Sequence, residues 1–281
     1  MADSGCVGAW LKEEKLASAI REDASGEGND LANGGTQALA TTTDAAFGAR
    51  ASAFDGGNNS SLTRTDANLS ATFPGKSGYN ATAFTVGCWV KPAVGSGSST
   101  FTLMHKGGTC LQFYWLGSGD FLQAIFFDSA VAAKVMTTSA ASVPEGAYTF
   151  CAVRLAAGKI AVWSGSPPVK GTELTCADLN DSTDPFLLGA QVGGTLELDG
   201  HLDDCFAFSR GLEESELTTL ASGGLAAFLA TFEDADPPSL AVDHPRLSER
   251  TAGAGRVAGG ARVAGGGRVA GGSLISPVRG R

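Results

Sequence analysis

The chain has 281 residues, 43% apolar and only 17% charged, which supplies one large or two small domains with a core and excludes a chain disordered throughout. The formal charge of −9 is unevenly placed: from Arg246 onward there are seven Arg and one acid, Glu249, so residues 1–245 carry −15. An acidic main portion excludes nucleic acid and anionic membranes as its partners, and no run reaches the ~18 apolar residues of a membrane helix. The opening segment, Met1 to Gly5, lacks the basic start and apolar run of a signal peptide, so synthesis in the cytoplasm is expected. Cys6, Cys88, Cys110, Cys151, Cys176 and Cys205 contain no C-x-x-C pair, which removes the usual spacing of a zinc site or redox dithiol and leaves them as reduced, small core hydrophobes.

In chain order, residues 1–80 are rich in Gly, Asn, Ser and Thr, with apolar islands at Trp10 and Ala51–Phe54. Strand signals then follow one another. Phe84, Val86, Cys88 and Val90 alternate, as do Leu111, Phe113 and Trp115, then Phe121, Gln123, Ile125 and Phe127 against Leu122, Ala124 and Phe126. A period of two sends alternate side chains to opposite faces of a sheet. Gly117–Asp120 supplies a hairpin turn whose glycines are expected to take positive φ, and Ala156–Gly158 joins a second pair, 148–155 with 159–163. Further runs come at 186–189 and 201–208.

Strands recurring about every ten residues without helices between them predict two packed antiparallel sheets and exclude doubly wound α/β folds. One short helix is predicted from Leu212 to Leu220, with acids at its start and Ser222-Gly-Gly as its end; Leu225–Phe232 is either helical or extended. The expected division is a jelly-roll domain over 1–225, a connector over 226–250 marked by Asp236-Pro-Pro, and a repeat tail over 251–281. In that tail Arg256, Arg262 and Arg268 recur every six residues, each followed by Val-Ala and set in glycine. It is either a flexible linker or an ordered assembly element.

Four segments resemble the laminin-G-like, concanavalin-A-like lectin family. Asp23-Ala-Ser-Gly-Glu-Gly-Asn-Asp-Leu31 is similar to its early turn, Ala53-Phe-Asp-Gly-Gly57 to its A-x-F-D-G element, and Phe84-Thr-Val-Gly-Cys-Trp-Val-Lys-Pro92 to its F-T-x-x-x-W-V-K-P strand. Gly200-His-Leu-Asp-Asp-Cys-Phe-Ala-Phe-Ser-Arg-Gly-Leu212 is similar to its closing strand. The resemblance implies an all-β, antiparallel two-sheet jelly-roll sandwich from about residue 8 to 224. It also implies one structural calcium held by residues at the positions of Asp23, Asn29, Gly56 and Asp204, oxygen donors of the kind calcium takes. The alternative for Asp23 and Asp204 is hydrogen bonding to turn amides.

The same family includes glycan-cleaving enzymes, so catalysis is weighed by residues. Its laminarinase-like members carry E-x-D-x-x-E on one strand; here Glu197-Leu-Asp199-Gly-His-Leu202 has Leu in the last place, and the paired carboxyls of a glycosidase are missing. His105, His201 and His244 are scattered, and no H-E-x-x-H, G-x-S-x-G or phosphate-binding loop is present. A non-catalytic module is expected, binding a glycan or a protein surface, with Tyr79, His105, Tyr114, Trp115 and Trp163 as ligand candidates because sugar rings pack on aromatic faces. Tyr114 and Trp115 point to opposite faces, so one is core and the other outward. The alternative is a virion component, since phage structural proteins resemble this layout, with the tail contacting capsid or tail proteins or other copies of the chain.

Overall fold

A computed structural model describes residues 5–11, 20–35, 40–57 and 60–233. Within them the chain forms sixteen strands: β1 (Cys6–Trp10), β2 (Ile20–Arg21), β3 (Leu31–Asn33), β4 (Ala40–Thr42), β5 (Ala51–Asp55), β6 (Leu62–Arg64), β7 (Phe84–Pro92), β8 (Thr100–Lys106), β9 (Leu111–Leu116), β10 (Phe121–Phe127), β11 (Ala133–Thr137), β12 (Thr149–Ala156), β13 (Lys159–Ser164), β14 (Val169–Thr175), β15 (Phe186–Leu188) and β16 (Asp199–Phe208). One helix follows, α1 (Glu214–Glu233).

The strands make two eight-stranded sheets. The first runs β14-β13-β12-β7-β16-β5-β4, with β1 also paired to β16; the second runs β11-β10-β9-β8-β15-β6-β3-β2. The expected two-sheet antiparallel sandwich is the observed architecture. Val86, Cys88 and Val90 of the first sheet and Phe113, Trp115, Leu122 and Phe126 of the second lie at 0% exposure in the core between them. Aromatic pairs cross that core: Phe84 stacks on Phe126 at 5.5 Å and Trp10 on Phe186 at 5.6 Å.

Both expected hairpins form, β9 with β10 and β12 with β13. In the first the positive φ falls on Asp120 (51°), not on Gly117 or Gly119. Gly117 is required for space instead: a Cβ there would lie 2.7 Å from the Trp115 ring and 2.7 Å from the Ser96 carbonyl oxygen.

A second apolar cluster lies on the other face of the first sheet. There Trp89, Phe150, Trp163, Phe206 and Phe208 are covered by Leu217, Leu220, Leu225 and Phe228 of α1. The helix runs past the expected domain edge at residue 225. It breaks at Gly224 (φ 76°, ψ 170°), as the Ser-Gly-Gly signal requires, and then restarts because the Asp204 carboxylate accepts the Leu225 N–H at 2.6 Å. A carboxylate at a helix start satisfies an orphan amide and meets the favourable end of the dipole. The expected connector therefore begins at least eight residues too early, and the hexad tail with Arg256, Arg262 and Arg268 lies outside the described residues. Among the described residues no helix is long and apolar enough to cross a membrane.

Candidate functional site

The second sheet turns its other face outward, and cross-strand register fixes what stands on it. One row reads Val135, Ile125, Gln112, His105, Leu187, Thr63, Ala32 across β11, β10, β9, β8, β15, β6 and β3. The next reads Thr137, Gln123, Tyr114, Thr102. The register shift between Thr102 and Met104 absorbs Leu103, which brings both Thr102 and His105 to the outward face.

Over this face folds the loop after β15. Its backbone closes on itself through Gln191 N–H to Thr195 O and Leu198 N–H to Gly189 O, and Leu196 O accepts the Thr102 N–H at 2.8 Å. The Gln191 side chain reaches two strands away, donating through Nε2 to the Tyr114 hydroxyl at 2.5 Å, and Tyr114 donates to Gln112 Oε1 at 2.7 Å. Between this loop and the turn at Gly34 lies a cleft of ≈ 390 Å³, lined by Gly34, Gly35, Ser61, Leu187, Gln191, Gly193 and Gly194. Among the described residues no charged side chain lines it.

Of the five expected ligand residues, the fold brings His105 and Tyr114 to this face. Both are buried beneath the loop, at 4% exposure each. Burial lowers the His105 pKa to about 4 against a smaller opposing pull from Asp184, and burial raises that of Tyr114. Trp115 and Trp163 are core residues: Trp115 is fully buried, stacked on Phe101 with its indole N–H donating to Val143 O, and Trp163 lies beneath α1. Neither offers a ring to a ligand. Tyr79 packs half-buried against the core between the sheets. Gln112, Thr102 and Gln191 went unmarked, and only Gln112 carried a signal, as the polar member of the β9 alternation.

The four residues at implied calcium positions do not form one site. The Asp23 carboxylate accepts from Ala9 N, Ser25 N, Ser25 Oγ and Asn29 N at 2.7–2.9 Å, the turn-stapling role. The Asn29 side chain bridges Val7 O and Ser70, and Asp204 caps the second half of α1. Gly56 follows Asp55, which faces Asp199, five residues along β16 from Asp204. At ~3.3 Å per residue that is roughly 16 Å, whereas ligands at ~2.3–2.6 Å from one ion lie within about 5 Å of each other. Among the described residues no group of three His, Cys, Asp or Glu side chains is placed to hold a metal ion. These residues do not fit a shared calcium.

A second cleft, of ≈ 480 Å³, lies where the sheet edges β11 and β14 meet. Two of its hydroxyls are engaged, Thr138 Oγ1 by Leu122 N and Ser142 Oγ, and Thr172 Oγ1 by Thr137 O.

A jelly-roll sandwich with one outer face sealed by a helix and the other left open over an uncharged cleft defines a concanavalin A-like domain. Residues 55–218 match the family model of the concanavalin A-like lectin/glucanase superfamily, and the chain belongs to that family. No curated protein matches it. Solved structures share the fold at low identity, among them the following three. The binding domain of Paraclostridial Mosquitocidal Protein 1 aligns at a TM-score of 0.56 and 15% identity, over 76% of this chain and 51% of that one. The botulinum neurotoxin serotype G binding domain aligns at 0.57 and 14%, over 77% and 50%. Domain 4 of AbnA, an extracellular arabinanase from Geobacillus stearothermophilus solved with arabinotriose, aligns at 0.54 and 18%, over 77% and 98%. The chain thus spans about half the length of the two toxin domains and nearly all of the arabinanase domain.

Proposed function

We propose that the chain is a non-catalytic recognition module that binds a glycan on the open face of its second sheet. The observation that carries this reading is the cleft of ≈ 390 Å³ beside Leu187, whose described lining residues supply amide, hydroxyl and backbone polar groups and no charge. Neutral polar groups around an apolar floor suit a sugar, which presents hydroxyls at its edge and C–H groups on its face. The arabinanase domain of the same fold, solved with arabinotriose, supports the same ligand class.

The side chains available for catalysis argue against turnover. Leu202, in the place of the second glutamate of the laminarinase-like strand, is fully buried in the core between the sheets. Cys88 and Cys151 have no exposure and burial pushes both thiols well above their usual pKa, so neither supplies a thiolate. The His201 ring is engaged by the Tyr148 hydroxyl at 3.3 Å and Asp44 at 3.6 Å.

The test is calorimetric titration with neutral oligosaccharides, arabinotriose first, alongside a reducing-end assay on β-glucans, galactans and arabinan. Saturable binding without release of reducing ends is expected. Turnover that Glu197→Gln abolishes would overthrow the reading.

A further inference from the structure

Two buried polar atoms on the open face have no partner. His105 Nδ1 and Thr102 Oγ1 lie on β8 at 4% and 0% residue exposure, and neither makes a hydrogen bond. Buried polar groups in folded proteins are paired in the great majority of cases, so two orphans on one strand, on one face, require a reason. Their position supplies one. Leu187, the cross-strand partner of His105, lines the cleft, and Tyr114, the cross-strand partner of Thr102, holds the amide of Gln191, another lining residue.

Gln191 follows β15 and bonds a residue of β9, so its side chain passes over β8, which lies between those two strands. It closes the cleft on the side of His105 and Thr102. Its attachments are few: one bond from Nε2 to Tyr114 and one at Oε1 from the exposed Thr195 hydroxyl. Glycines at 193 and 194, both at positive φ, follow it in the loop.

We infer that Gln191 is a movable wall, and that its displacement extends the cleft onto His105 Nδ1 and Thr102 Oγ1, which then bind adjacent hydroxyls of an uncharged glycan. The inference rests on the glycan reading above and names the residues that carry it. A neutral imidazole offers one donor and one acceptor, and a threonine hydroxyl both donates and accepts, which matches a hydroxyl group and gives no preference to a carboxylate or sulfate. The −15 charge of residues 1–245 disfavours anionic glycans in the same direction. When Gln191 leaves Tyr114, the phenol oxygen loses that donor and can accept from a ligand, while Tyr114 keeps its bond to Gln112 Oε1. The ordering of two ligand hydroxyls against two atoms that gain their first hydrogen bonds is where the selectivity arises, because a sugar lacking either hydroxyl leaves a buried atom unpaired.

The experiment uses the full chain with arabinotriose, maltotriose, cellotriose and galactotriose as neutral probes and 3′-sialyllactose as the anionic one. Thr102→Val and His105→Leu, singly and together, remove the orphan atoms while keeping shape, and thermal melting checks that each variant folds. We expect the double variant to bind its best neutral probe roughly tenfold more weakly, two lost hydrogen bonds' worth. In a Gln191→Ala background the double variant should lose at least as large a factor in affinity as it does in the wild type, since the wall no longer has to move. In long-range nitrogen–proton spectra the His105 ring resonances should move on saturation, and those of His201 should stay. Wild-type binding that survives the double variant unchanged, with a silent His105, overturns this inference and leaves the glycan reading standing. Preferential binding of sialyllactose overturns the uncharged-ligand assignment. If no oligosaccharide binds the wild type, both readings fall.

Discussion

The two outer faces of the sandwich begin alike and end differently. On the first sheet the outward residues of β12 and β13, Phe150, Ala152, Ala161 and Trp163, are as apolar as the outward Phe121, Ile125 and Phe127 of β10 on the second. The first face is sealed by α1, the second is open. The difference lies in the side chains between the large ones. Gly87, Ala152 and Ala161 keep the first face low enough for a helix to sit close, and Gly87 has no room for a Cβ, which would stand 2.4 Å from the Cys151 carbonyl oxygen. On the second face Gln112, Gln123 and Thr137 interleave with the apolar residues, so covering it with a helix would strand amides without water. A sheet face is therefore assigned to core or to ligand by its small and polar residues more than by its aromatics.

The largest expected effect comes from opening the sealed face. Phe228 is 3% exposed and meets Phe208 and Phe232 edge-on at 5.8 and 5.3 Å. Phe228→Ala should cost about 3–5 kcal/mol in urea unfolding, the usual loss for a buried aromatic. A loss below about 1 kcal/mol would mean that the second half of α1 contributes no seal.

The open face should instead reveal itself by pH. His105 titrates near pH 4 in the fold and near 6.5 unfolded, with Asp184 and Lys106 as the charged groups acting on it. The unfolded chain binds the proton first, so the stability linked to His105 is present in full above about pH 6.5 and is lost as pH falls toward 4. The drop is on the order of 3 kcal/mol. Unfolding free energies at pH 7.0 and 4.5 should differ by less in His105→Leu than in the wild type. Equal slopes would place the ring in water, and with it the face.

Much of this contrast was legible in the sequence and part was not. The period-two runs at β7, β9, β10 and β12 are clear because one face of each is continuous core. That same alternation places Trp115 inward with Leu111 and Phe113, so phase outweighs the aromatic chemistry that makes it a ligand candidate. β14 was missed because its residues are mostly exposed on both faces, leaving no apolar period to read. The restart of α1 at Leu225 depends on a carboxylate from β16, twenty-one residues earlier, and no local signal carries it. His105 and Tyr114 were marked as polar aromatics, whereas Gln191 acquires its place only from the loop's return across β8.

Asp204 gives a smaller and sharper separation of two roles for one carboxylate. As the cap of Leu225 it should lose about 1–2 kcal/mol on Asp204→Ala and much less on Asp204→Asn, which keeps an acceptor oxygen. The melting temperature should be the same in chelator and in millimolar calcium, since both Asp23 oxygens accept local hydrogen bonds, Asp204 Oδ2 accepts the Leu225 amide, and Asp204 lies apart from Gly56. A calcium-dependent rise would show an ion bound by the folded state and return these residues to a ligand role.

The smallest expected effect is the most informative about the open face. Val135 stands at 47% exposure on β11, beside Ile125 of β10, and its isopropyl side chain gains nothing from the core on the far side of the strand. Val135→Thr keeps the branched shape a strand prefers and exchanges a methyl for a hydroxyl, a change worth within ~0.5 kcal/mol where water already reaches. The measurement is urea unfolding of wild type and variant at two protein concentrations tenfold apart. A difference within that bound at both concentrations means the face is open in solution and free to take a ligand. A cost above about 1 kcal/mol means that Val135 is covered. If that cost grows with protein concentration, the cover is a second copy of the chain, because only an associated state is stabilised by mass action. If it is independent of concentration, the cover belongs to the chain itself, and the two faces of the sandwich are sealed by different means rather than one being left for recognition.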